Sequence, residues 1–126
     1  MPKTVLETPS APKSLAPYST AIEAAGLVFL SGQVGLDPAT GQRAPDEVTE
    51  QAHRVMKNIG AILADLGLTY DDIVKTTVFL ADIGDFAAVN EVYQSYFEGE
   101  FPARSAVQAG ALPGGFMVEI EVVAAR

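Results

Sequence analysis

Between Asp46 and Leu66, apolar side chains recur at three- and four-residue spacing: Val48, Ala52, Val55, Met56, Ile59, Ile62, Leu63 and Leu66. A helix with one such stripe has to bury it against another element. The flanking sequence says what that element is. Before the helix, Leu27-Val28-Phe29-Leu30-Ser31 reads as a buried strand; after it, Ile73-Val74-Lys75-Thr76-Thr77-Val78-Phe79-Leu80 is rich in β-branched residues. Asp46 is the expected cap, Glu47 and Glu50 lie near the positive end of the helix dipole, and Gly67 ends the helix.

The remaining segments fit around this unit. Residues 3–6 read as a short strand and Thr8-Pro9-Ser10-Ala11-Pro12 as a loop, while Gly26 separates two strand-like runs as in a tight hairpin. Gly35 to Gly41 is a polar loop. A second helix is expected from Asp85 to about Phe97, with Val89, Val92, Tyr93 and Tyr96 inward, and strands at about 103–109 and 117–124 close the chain. In the last strand Val118, Ile120, Val122 and Ala124 share one face, and Glu119, Glu121 and Val123 the other.

The predicted fold is therefore α+β: a mixed sheet with two helices packed on one face, in a single domain spanning residues 1–126. Two helices cover only one face. Simple alternation puts Lys75, Thr77, Phe79, Arg104, Ala106, Glu119 and Val123 on the other, a mixture too apolar for full solvation. A homo-oligomer with its interface on that side is expected.

Composition narrows the function. A hydrophobic fraction of 48% and a charged fraction of 19% are globular values. The net charge of −8 and the scattered placement of only eight Lys and Arg argue against nucleic-acid binding. Without cysteine there is no disulfide, no thiolate nucleophile and no Cys-type zinc site. Met1 to Val5 carries no signal-peptide run and no segment reaches the roughly 20 apolar residues of a membrane span, so a cytoplasmic protein is expected.

Arg104 is the first candidate for chemistry. A guanidinium in an otherwise apolar strand is costly to desolvate unless it meets an anion. That anion is either Glu119 or Glu121 of its own chain, or the carboxylate of a ligand, which a guanidinium fork suits well. Glu119 and Glu121 form either a solvated strand face or, in a cleft, a general base that holds a water. No third carboxylate stands near to complete a metal site. Tyr18 follows a proline in a loop that could close over a pocket. Ser31 and Gly32 end a buried strand, where Gly32 indicates close backbone approach or positive φ. Asn90 reads as a solvent-side helix residue and His53, the sole histidine, as structural.

These segments in order resemble the RidA/YjgF family, also called the L-PSP or reactive intermediate deaminase family. The blocks are Ala16-Pro17-Tyr18-Ser19, Leu27 to Gln33, Val74 to Leu80, Asp85 to Tyr93, Phe101-Pro102-Ala103-Arg104-Ser105 and Val118-Glu119-Ile120-Glu121. The resemblance implies a fold like bacterial chorismate mutase and a homotrimer with ligand sites between subunits. It implies hydrolysis of enamines and imines such as 2-aminoacrylate to 2-keto acids and ammonia, with no cofactor and no membrane or nucleic-acid partner. Arg104 would bind the carboxylate of the small imine substrate and Glu119 would position or activate water. Tyr18, Ser31, Gly32 and Ala106 match pocket positions. Ala106 departs from a frequent cysteine and the Glu98-Gly99-Glu100 loop is short, both of which bear on substrate preference. Two other readings compete: an endoribonuclease or translation inhibitor, and a non-catalytic keto-acid sensor or chaperone.

Overall fold

The computed structural model describes residues 2–126. In chain order these form β1 (Thr4–Val5), β2 (Ala21–Ala24), β3 (Leu27–Gln33), α1 (Val48–Asp65), β4 (Ile73–Leu80), α2 (Phe86–Gln94), β5 (Ala103–Gln108) and β6 (Val118–Ala125). The six strands make one sheet in the order β1-β2-β3-β6-β4-β5. Every pairing is antiparallel except β4 with β5, which α2 connects, so the sheet is mixed as expected. The β2–β3 hairpin turns through Ala25 (φ 54°) and Gly26 (φ 77°). Two consecutive left-handed residues are what a two-residue turn needs to match the strand twist.

Both helices lie on one face of the sheet. Val28, Leu30, Val78, Leu80, Val118, Ile120, Val122 and Ala124 are buried together with Val55, Met56, Ile59, Ile62 and Leu63 of α1 and Val89, Val92 and Tyr93 of α2. The α1 stripe thus packs as its spacing predicts. Its cap is Glu47, not Asp46: the Glu47 carboxylate accepts from the N–H groups of Thr49 (3.0 Å) and Glu50 (2.9 Å). Those charge-assisted bonds lower the Glu47 pKa. Helix α2 ends at Gln94, before the expected Phe97, as the Ser95 hydroxyl donates to the Val92 carbonyl at 2.6 Å. No helix among the described residues is long and apolar enough to cross a membrane.

Two buried amides on α1 fasten the loops beside the sheet. Gln51, fully buried, accepts from the Met117 N–H (2.8 Å) and donates to the Pro45 carbonyl (3.3 Å). Asn58 donates to the carbonyls of Leu36 (2.8 Å) and Val34 (3.3 Å). Replacing Gln51 with Leu keeps the volume but strands the Met117 N–H. We expect a loss of about 1–3 kcal/mol, read as a lower urea midpoint at unchanged m.

One expectation about the faces is corrected. The parallel register pairs Thr76 with Arg104 and Val78 with Ala106. Thr76 and Val78 face the helices, so Arg104 and Ala106 do too; neither lies on the open face. The open face instead carries Phe29 and Val107, both substantially exposed, with Lys75, Thr77, Phe79, Ser105, Glu119, Glu121 and Val123. Alternation within β5 gives a period but no phase, and only pairing with β4 fixes which side each residue takes.

Candidate functional site

Arg104 projects from the edge strand β5 toward α2. Its guanidinium carbon lies 4.9 Å from the centre of the Tyr93 ring and 5.5 Å from that of Phe86, within cation–π range. Nη1 donates to the Asn90 side-chain oxygen at 2.7 Å. Tyr93 is itself fixed, its hydroxyl 2.7 Å from Thr76 Oγ1. Burial raises the Tyr93 pKa, while the Thr76 bond and the Arg104 charge oppose the rise. The cation is therefore aimed by an amide and two aromatic faces, not neutralised.

Among the described residues the ion pairs are Arg54–Asp37 and Arg126–Glu23. No carboxylate among them pairs with Arg104, which removes the alternative of an internal bond to Glu119 or Glu121. Beside it opens a cleft of about 330 Å³ lined by Asn90, Tyr93, Gln94, Phe101, Pro102 and Arg104. Phe101 is propped against Phe97, ring centres 5.9 Å apart. The result is an apolar trough with one oriented cation, suited to a small carboxylate that carries an apolar body.

Glu119 belongs to a second cluster on the open face. It sits opposite Phe79 and against Gly32. A Cβ added at Gly32 would collide with Glu119 Oε2 and come within 2.8 Å of its Cδ, so only glycine lets the carboxylate lie there. Gly32 is thus needed for close approach; its φ is not positive. The strand register shifts between Leu30 and Gln33, which sets Ser31 and Gly32 out of the regular ladder. The Ser31 hydroxyl donates to the Ser19 carbonyl (2.6 Å) and its N–H to the Thr20 carbonyl (2.9 Å), holding the segment that carries half-exposed Tyr18. The Glu119 pKa is raised, first by burial and then by the charge of Glu121.

Arg104 and Glu119 therefore project from opposite faces of one sheet. Ala106 lies on the helix side, packed against the core, and does not line the Arg104 cleft. His53 is not part of either cluster: its Nδ1 lies 2.8 Å from the Tyr96 hydroxyl and links α1 to the residues after α2. No group of three or more metal-ligating side chains forms among the described residues. Asn90 is the residue that sequence reasoning missed. Its signal was spacing, since Phe86, Asn90 and Tyr93 at i, i+4 and i+7 share one face of α2.

Comparison with known proteins agrees with this fold. A family profile described as Endoribonuclease L-PSP matches residues 8–126. The chain is 48% identical, over 97% of its length and 90% of the other, to a mouse protein named 2-iminobutanoate/2-iminopropanoate deaminase. It superimposes on a Rid-family protein of Yersinia pestis with a TM-score of 0.95 at 45% identity, covering 99% and 100% of the two chains. Against Escherichia coli TdcF with bound serine the TM-score is 0.92 at 40% identity, covering 98% of each.

Proposed function

We infer, since the chain belongs to the Endoribonuclease L-PSP family, that it hydrolyses small 2-imino acids and their enamine forms to 2-keto acids and ammonia. The observation that carries this reading is the Arg104 guanidinium, held by Asn90 over aromatic rings with no carboxylate paired to it among the described residues. A substrate carboxylate would complete the fork. The imine carbon, already electrophilic, then needs only a positioned water.

Glu119 takes a proton from that water as its oxygen bonds to the imine carbon, and the imine nitrogen gains a proton. The carbinolamine nitrogen then takes a second proton, the one Glu119 holds, and leaves as ammonia when the C–N bond breaks; the hydroxyl proton passes to water as the carbonyl forms. A carboxylate raised toward the working pH is a better base than an ordinary one. An enamine such as 2-aminoacrylate must first gain a proton on its terminal carbon, and a water relay is the donor we propose. Tyr18, Ser31 and Gly32 border the water-side cluster, and Ala106 shapes the backbone beside Arg104.

Because the two key side chains leave opposite faces of the sheet, each site is built from two subunits. The exposed Phe29 and Val107 support an interface on the open face. Residues 1–126 form the single domain of a cytoplasmic homotrimer in this proposal. Arg104 is the one cation among the residues that line the cleft, which leaves the ribonuclease reading without a basic track for RNA.

The test supplies 2-aminoacrylate in situ from a dehydratase and follows ammonia and pyruvate, with light scattering to report the mass of the assembly. Accelerated release by a particle of three chains is expected. Unchanged release would defeat the proposal, and binding of 2-ketobutyrate without turnover would point to a sensor.

A further inference from the structure

We propose a second ligand site, for a small phosphate-bearing anion, in a hollow between the N-terminal half of α1 and the loop before it. The hollow measures about 310 Å³, and Arg43, Arg54 and Lys57 all line it. Three of the chain's eight Lys and Arg residues thus meet at one place on a molecule of net charge −8. Such a concentration opposes the field of the whole protein and attracts multivalent anions locally.

Arg54 is the decisive residue. Its Nη1 lies 3.7 Å from Asp37 Oδ2, an ion pair too long for a hydrogen bond. Its Nε is buried without any partner. A buried donor left unpaired costs free energy, and one on a cation costs more. An oxyanion with several acceptor oxygens takes the two donors on one edge of the guanidinium, Nη1 with Nη2 or Nη2 with Nε, in the paired geometry that guanidinium favours. Lys57, exposed one turn further along the same helix, adds a mobile ammonium. Arg43 is already committed: it stacks on Phe116 at 3.9 Å and donates to the Gly114 carbonyl. It therefore contributes charge from a fixed position.

Two carboxylates on the rim, Asp37 and Glu50, compete for the same cations. They select for a ligand of more than one negative charge, because a monoanion gains too little over Asp37 to displace it. This site is independent of the Arg104 cleft, which shares no lining residue with it.

The test titrates inorganic phosphate and glycerol 3-phosphate into the full-length protein at low ionic strength, by calorimetry and ³¹P NMR. Saturable binding is expected, weakened about tenfold or more by Arg54→Gln together with Lys57→Gln. Asp37→Asn keeps the acceptor that caps the Ala39 N–H (2.8 Å) yet removes the competing charge, so it should tighten binding about threefold or more. That gain of affinity needs no destabilising change and decides the matter if Arg54→Gln fails to fold. Tighter binding of the ester assigns the site to phosphomonoesters, and equal binding assigns it to phosphate itself. Absence of saturable binding, indifference to all three substitutions, or loss with Arg104→Ala would overturn the proposal.

Discussion

Arg104→Ala is expected to lower kcat/KM for imine hydrolysis by roughly 10²–10⁴-fold, the loss of two charge-assisted hydrogen bonds at about 1.5–3 kcal/mol each. The fold should survive, because Tyr93 keeps its bond to Thr76 and the core on that face does not include Arg104. Arg104→Lys should recover little, since an ammonium cannot span both carboxylate oxygens or stack flat on Tyr93. Asn90→Ala should raise KM more than it lowers kcat, as it frees the guanidinium without removing it. These measurements separate a substrate fork from a structural cation.

The two-faced arrangement makes a sharper demand. When Arg104→Ala and Glu119→Gln chains are unfolded together in equal amounts and reassembled, activity should return. In the cyclic trimer we propose, each site would draw Arg104 from one subunit and Glu119 from its neighbour, so a mixed trimer would regain one intact site. Random reassembly makes about three quarters of the trimers mixed, and about one quarter of all sites active. If both residues served a site within one chain, mixing would restore nothing.

Much of this was legible from the chain because hydrophobic contrast was strong. The α1 stripe and the alternation of Val118, Ile120, Val122 and Ala124 against Glu119 and Glu121 set both period and phase, and the buried faces match. In Ala103-Arg104-Ser105-Ala106-Val107-Gln108 no such contrast exists. Small and mixed side chains on both faces leave the phase to long-range pairing with β4, which no local pattern encodes. The helix cap moved one residue, from Asp46 to Glu47, because either carboxylate can reach free N–H groups and backbone geometry makes the choice. Asn90 looked like a surface amide because its partner comes from a strand fourteen residues later, across a turn that sequence alone does not orient.

Glu119→Gln should move activity and stability in opposite directions. Turnover should fall by roughly 10²–10⁴-fold with KM little changed, the loss expected for a general base that does not hold the substrate. Wild-type turnover should fall on the acid side with an apparent pKa above 4.5, the ordinary glutamate value, because Glu119 must be ionised to take the proton from water. Stability follows the same titration with the opposite sign. A carboxyl group whose pKa is raised by folding favours the folded state fully below the ordinary value, and that contribution is lost as pH rises through the raised one. At higher pH the ionised group lies half-buried beside Glu121, with no cation paired to it among the described residues. An amide of the same shape removes both the burial of charge and the repulsion, while Gly32 still leaves it room. The variant should therefore melt above the wild type at about pH 8, with the gap closing as the pH falls below 4.5. A variant that instead melts lower at alkaline pH would mean that a cation of the neighbouring subunit grips Glu119, and the base would then need another identity.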